Sequence, residues 1–174
     1  MEHDAEIKIV ARVLEGDRQA YALLVEEYKT PIYNLAYRMT RNLEDADDLT
    51  QDIFIRAYVH LWRYNPQKKF FTWLYTIALN QIRNHLKKIK KRNKLDMNNV
   101  LAVQKQDSSH DFIDGSDIEI KLATLDEYTR FLIIMKYQQE LSFQDIADIT
   151  GKSISALKMR IYRGLEELKK KMRK

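Results

Sequence analysis

Two sets of side chains in this sequence have the types and spacing needed to handle nucleic acid. One lies in residues 141–163. Ser142, with Asp145 three residues on, has the form of a helix start, where a hydroxyl accepts an otherwise free backbone amide. Ile146, Ala147 and Ile149 supply the buried side of a short helix, and Gly151 stands where a helix closes on a left-handed residue. Ser153 caps a second helix. Its Ile154, Leu157, Ile161, Leu165, Leu168 and Met172 recur at spacings of three and four, one apolar stripe. The other side carries Ser155, Lys158, Arg160 and Arg163. A helix packed on one side and basic on the other suits a DNA major groove. A helical hairpin with a solvated basic face is the plain alternative.

The second set follows Phe70. Trp73, Thr76, Asn80, Arg83 and Lys87 share one helical face, with Leu74, Ile77, Ala78, Ile82 and Leu86 on the other side. A ring can stack on an unpaired base for roughly 1–3 kcal/mol. An amide can pair with an adenine edge, and cations neutralise phosphates. Lys68 and Lys69 precede this face, and Thr72 stands within its first turn. Trp73 is equally at home in a core. Together these residues suit single-stranded nucleic acid.

Enzyme chemistry finds little support. There is no glycine-rich phosphate loop, and His3, His60, His85 and His110 lack ligand spacing. Cys is absent, which removes disulfides, thiolate metal sites and thiol nucleophiles. Glu44, Asp48 and Asp52 stack on one helix face without the turn glycine or bidentate Glu of a calcium loop, so a docking face for a basic partner is the sharper use. No cofactor or metal is expected, and no catalysis.

The elements that must position these residues read as helices throughout. The 174 residues include only 4 Gly and 2 Pro, and 45% are hydrophobic. Nothing alternates with period two over a useful length, so the expected class is all-α. Ile7, Val10, Ala11 and Leu14 form a first stripe, ended by Gly16, and Asp17 caps the next helix. Tyr21, Leu24, Val25 and Tyr28 form a second stripe. Thr30-Pro31 looks like a new helix start before Ile32, Leu35, Ala36 and Met39. After a break at Asn42, Ala46, Leu49, Ile53, Ala57 and Leu61 face inward. A loop over 63–69 leads to a helix from Phe70 to about Lys91. Charge then changes: 85–94 is basic and 104–117 is polar and acidic, so about Asn93 to Ser116 is expected to be a linker. Ile118, Ile120, Leu122 and Leu125 open a second helical block that continues with Tyr128, Phe131, Leu132, Met135 and Tyr137. The net charge of +5 permits nucleic-acid binding. No start resembling a signal peptide and no apolar run of ~20 residues is present, so a cytoplasmic chain is expected.

Taken together, residues 45–54 (Asp45-Ala46-Asp47-Asp48-Leu49-Thr50-Gln51-Asp52-Ile53-Phe54), residues 71–80 and the C-terminal helix-turn-helix resemble the extracytoplasmic-function (group IV) sigma factors of bacterial RNA polymerase. The resemblance implies two helical domains joined by a flexible linker: sigma-2 over 1–92, a linker over 93–116 and sigma-4 over 117–174. It implies that Asp48, Leu49, Gln51, Asp52 and Phe54 meet the β′ clamp helices of core polymerase. Lys68, Lys69, Thr72, Trp73, Thr76, Asn80 and Arg83 would take the melted −10 element with a flipped base. The second domain would meet the β flap and set Ser153, Ser155, Lys158, Arg160 and Arg163 at the −35 element. An anti-sigma factor is the further partner such chains usually have.

Physical argument supports this division. Flipping a base costs a few kcal/mol, which pocket contacts must return. Two weak modules gain from linkage only if the linker spans their sites. As coil, a linker of about 24 residues reaches roughly 27 Å; stretched, ~80 Å. Elements one to two turns apart lie ~35–70 Å apart, so the linker must be drawn out by polymerase. The chain also departs from the family. Ala156 and Met159 replace hydroxyl residues of the usual Gly-Thr-Val-Lys-Ser-Arg pattern, Leu125-Asp126 replaces Leu-Pro, and Gly164 interrupts the last helix, which suggests close packing. The rival reading is a free-standing helix-turn-helix regulator that binds duplex DNA without polymerase; a nuclease is remote. The reading requires that Asn80 and Arg163 stay accessible.

Overall fold

A computed structural model describes residues 2–99 and 121–172, the side chains of 94–99 excepted. The described residues are helical, without strands. A front bundle comprises α1 (His3–Leu14), α2 (Tyr21–Thr40), α3 (Leu43–Val59) and α4 (Phe70–Asn99), with short 3-10 turns at Arg18–Ala20 and Leu61–Arg63. A second block comprises α5 (Glu127–Ile133), a wider π turn at Ile134–Gln138, α6 (Phe143–Thr150) and α7 (Ile154–Met172). The helix extends to Asn99, past the expected linker start at Asn93. The remainder of that linker, with Ile118 and Ile120, lies outside the described residues.

The front core forms where the stripes of α2, α3 and α4 meet. Leu24, Ile32 and Leu35 of α2 pack with Ala46, Ile53 and Ala57 of α3 and with Leu74, Ala78 and Ile82 of α4, all fully buried. Two sequence expectations are corrected. The buried side of α1 is Ile9, Val10 and Val13 with Glu6, whereas Leu14 is exposed. The whole stripe is rotated by one or two positions, because Glu6 has partners inside. And Pro31 does not start a helix. It sits within the single helix α2, which ends at Arg41 in the left-handed region (φ 57°). Pro31 has no N–H to give one turn back, but the apolar stripe runs unbroken across it, and burial of Leu24, Ile32 and Leu35 outweighs the lost bond. Asn42, read in the sequence only as a break, caps α3 by accepting the Asp45 amide at 2.9 Å.

The second block follows the sequence more closely. Ser142 and Asp145 cap each other's backbone amides at the start of α6. Gly151 ends α6 at φ 66°, and Ser153 Oγ accepts the Ala156 amide at the start of α7. Leu157, Ile161 and Leu168 are buried. Gly164 belongs to that buried row. A Cβ there would overlap Thr129 Cγ2 and meet Ile133 Cδ1 at 3.1 Å, so α7 crosses α5 at a distance only glycine permits. Gly164→Ala is expected to destabilise the chain. Overpacking costs about 1–3 kcal/mol, against a helix-propensity gain of about 1 kcal/mol. Urea unfolding measures the difference, and a variant as stable as the parent would show that α5 and α7 can separate at no cost.

Candidate nucleic-acid interface

The front site begins at the first turn of α4. Glu6, only 2% exposed, accepts the Phe70 amide at 3.2 Å and the Tyr28 hydroxyl. A buried carboxylate at a helix N-terminus is favoured by the exposed amides and the helix dipole. It also pushes the Tyr28 hydroxyl above its ordinary range, after the burial that is the larger cause. Lys69's carbonyl accepts the Thr72 hydroxyl at 2.8 Å, and Tyr64's hydroxyl donates to Lys68's carbonyl at 2.6 Å. The loop bearing Lys68 and Lys69 is therefore tied at both ends. Sequence reasoning missed Glu6 as a member of this site. Its signal was an acid in phase with Ile9, Val10 and Val13.

The expected −10 face divides in three. Asn80 and Arg83 are exposed, as are Lys68 and Lys69. Trp73 is half-buried in an aromatic cluster with Tyr64 (5.8 Å between centroids) and Phe70 (5.6 Å). Thr72 is a correction: at 4% exposure it is buried, and its hydroxyl is spent on the Lys69 carbonyl, so it shapes the turn rather than meeting DNA.

The second block lies against this face. Thr76's hydroxyl donates to the carbonyls of Thr72 (2.8 Å) and of Ile149 in α6 (3.2 Å). Tyr75's hydroxyl donates to Gln139 Oε1 at 2.8 Å, and Gln139 Nε2 reaches the Pro31 carbonyl at 3.2 Å. Lys69 pairs with Asp145 at 3.0 Å. Arg130, 8% exposed, donates to the Met39 carbonyl in the last turn of α2 at 2.9 Å. None of Tyr75, Arg130 or Gln139 was expected to act between the blocks, because no periodicity encodes a contact so distant in sequence.

All five residues expected at the −35 element lie on α7 or its cap and are exposed: Ser153, Ser155, Lys158, Arg160 and Arg163. Lys158 stands over the Phe143 ring at 5.4 Å. Arg160 is held back against the start of α5 by Asp126 (2.9 Å) and the Thr129 hydroxyl (3.0 Å). Tyr128's ring lies 4.9 Å from the Arg160 guanidinium and 5.8 Å from that of Arg83.

On α3, Asp48, Gln51 and Asp52 are exposed. Leu49 and Phe54, expected beside them at a polymerase surface, are corrected. They are 5% and 6% exposed, their side chains inside the core. Both belong to the inward face of α3, rotated about the helix axis from the outer row. The outer row continues through Ile55 and Val59 to Trp62, at 60%, 58% and 66% exposure. Among the described residues no helix is long and apolar enough to cross a membrane.

Comparison with known proteins agrees with this two-block geometry. The family model for Sigma-70 region 2 matches residues 24–92, and that for Sigma-70, region 4 matches residues 118–168. The chain is 35% identical to the ECF RNA polymerase sigma factor SigW of Bacillus subtilis, over 95% of this chain and 96% of that one. It is 28% identical to the RNA polymerase sigma-H factor of Pseudomonas aeruginosa, over 94% and 91% of the two chains. Its fold resembles CnrH, solved in complex with the cytosolic domain of CnrY (TM-score 0.74, 23% identity, 97% of each chain). A helical chain with one region-2 bundle and one region-4 helix-turn-helix is a sigma factor of RNA polymerase. This chain belongs to the sigma-70 family, in its extracytoplasmic-function group.

The contact between the blocks carries a pH prediction. Burial raises the Asp145 carboxyl, but hydrogen bonds from Ser142 and Lys69 outweigh it and leave it below the ordinary carboxylate range. A depressed carboxyl stabilises its surroundings above its unfolded value and stops doing so as pH falls through its folded value. Acidification below about pH 4 is therefore expected to weaken the Lys69–Asp145 contact. Small-angle scattering should show the chain widen before circular dichroism shows helix loss. Simultaneous change in both would mean that the blocks unfold as one unit.

Proposed function

We propose that this sigma factor directs core RNA polymerase to promoters by dividing the reading between its two blocks. α7 reads duplex at the −35 element through Ser153, Ser155, Lys158, Arg160 and Arg163. The outer face of α4 and the loop before it bind the melted −10 element through Lys68, Lys69, Thr76, Asn80 and Arg83, with Trp73 at the edge of the aromatic cluster. Asp48, Gln51 and Asp52, extended by exposed Ile55 and Val59, dock on the β′ clamp helices. The second block engages the β flap. The front module takes in residues 1–92 and the rest of α4, and the second begins near 117. The chain acts in the cytoplasm and performs no catalysis. An anti-sigma factor restrains it, in keeping with a similar fold being solved as the sigma factor RpoE of Bartonella quintana with the anti-sigma factor NepR.

The observation that supports this reading best is that Asn80 and Arg163 are both exposed, on separate helices of separate blocks. Each offers a different chemistry, an amide able to grip an unpaired base and a cation at a helix surface. The packed arrangement covers Thr76 and occupies Lys69, so the blocks must part before the −10 face is complete. Polymerase is the agent proposed to hold them apart.

Run-off transcription from core enzyme, promoter DNA and this chain tests the reading, and no dependence on the chain would end it. Asn80→Ala is expected to reduce open-complex formation by about tenfold, within the ~1–3 kcal/mol of a paired amide–base contact. Binding of the closed duplex should be nearly unchanged. Equal loss in both assays would remove Asn80 from the melted strand.

A further inference from the structure

Asp126, which follows Leu125 at the start of α5, has two partners in the structure. Its Oδ1 accepts the Thr129 amide at 3.1 Å, which caps α5, and also accepts from Arg160 Nη2 at 2.9 Å. Arg160 Nε donates to the Thr129 hydroxyl at 3.0 Å, and Thr129 is only 4% exposed. The Arg160 guanidinium stands 4.9 Å from the Tyr128 ring.

Together these groups wall a groove of about 640 Å³ between the start of α5 and the first half of α7. Asp126, Tyr128 and Thr129 form one side, and Lys152, Ser155 and Arg163 belong to the other. Arg160 lies between them. A guanidinium has five N–H donors in a fixed fork. Two of them are taken here, by Asp126 and Thr129, and those remaining have a set direction. An arginine on a helix edge without such anchorage is free to follow its flexible stem to the nearest phosphate.

We propose that Asp126 is a positioning residue for −35 recognition, holding Arg160 in one direction and offsetting its charge, so that Arg160 contributes to sequence discrimination more than to general attraction for DNA. The proposal rests on α7 being the −35 helix. Its energetic logic is that an arginine already ordered loses little freedom on binding, whereas one paired with a carboxylate releases fewer counterions from the duplex. Asp126 therefore lowers non-specific binding and raises selectivity by the same contact.

The test uses holoenzyme assembled from core polymerase and the full chain, with a pool of randomised DNA duplexes as the probe. Asp126→Ser keeps a capping oxygen and removes the carboxylate, and Asp126→Asn keeps the shape. Both should leave the melting temperature near that of the parent. Binding to the bulk pool should become more salt-dependent, the logarithmic slope steepening by up to about 0.9. Enrichment of the preferred sequences over bulk should fall at least about fivefold. In an Arg160→Ala background the same changes should move neither readout, because the effect passes through Arg160. Unaltered slope and enrichment in Asp126→Ser and Asp126→Asn would overturn the proposal, as would a full effect that persists without Arg160. Arg163→Ala and Lys158→Ala separate the two levels. If neither affects duplex binding, α7 is not the reading helix and the underlying assignment fails; if they weaken binding while Asp126 variants do nothing, only the role of Asp126 fails.

Discussion

The second block takes up part of the outer face of α4, the face proposed to bind DNA, and leaves Asn80 and Arg83 exposed beside it. Thr76 gives its hydroxyl to the Ile149 carbonyl, and Lys69 is paired with Asp145. Polar links run through the contact, Tyr75 to Gln139, Gln139 to Pro31 and Arg130 to Met39, beside apolar side chains of both blocks that belong to one continuous core cluster. A hydrogen bond nets about 0.5–1.5 kcal/mol in water. The Lys69 side chain is 56% exposed, and pairs of that kind are worth about 0–1 kcal/mol. Each of these polar links is individually weak, so what resists opening is chiefly the apolar part of the contact. Even Arg130 and the Met39 carbonyl both regain water when the blocks part, so opening leaves no charge stranded. A partner with greater affinity for the separated blocks shifts the balance by as much as that differential.

The helical class, the caps and the recognition helix were legible because local chemistry determines them. Asp17, Ser142 and Ser153 accept the amides that their positions imply, and Gly151 has the left-handed angle of a helix end. Misreadings arose where tertiary packing outweighed a local signal. Thr30-Pro31 has the form of a start, yet α2 continues through it because its stripe buries on both sides. Leu49 and Phe54 look like contact residues by family position, whereas helical phase turns them inward and leaves Ile55 and Val59 outside. Gly164 shows the opposite case: a residue poor for helices signals a close crossing, and the crossing is there. Contacts between blocks were not legible at all. Arg130 sits in an apolar helix and Gln139 in the bend that follows the π turn, and only the assembled chain shows what their polar ends reach.

The two reading faces also differ in how their cations are kept. Lys68 and Lys69 ride on a loop anchored at Glu6 through the Phe70 amide and at Tyr64 through the Lys68 carbonyl. On that frame Lys68 is exposed, whereas Lys69 is paired with Asp145 and would reach a single strand only once the blocks part. Arg160 is biased in direction by Asp126 and Thr129, an exposed and individually weak anchorage that suits a rigid duplex whose base edges lie at set positions.

Chain length adds a limit on how far apart those DNA forms can be. α4 is helical to Asn99, and the described second block resumes at Lys121. Helical residues advance about 1.5 Å each, against about 3.3 Å when extended. Helix past residue 92 therefore reduces the reach expected of a linker beginning there. The intervening stretch of about 21 residues can extend to at most ~70 Å, and as free coil would average ~25 Å. Elements one helical turn apart, at ~35 Å, fall within easy reach, whereas two full turns would require a nearly straight chain. Effective concentration falls steeply as a linker approaches full extension. The spacing between duplex and melted elements is therefore constrained from above by the chain itself, independently of what either face can recognise.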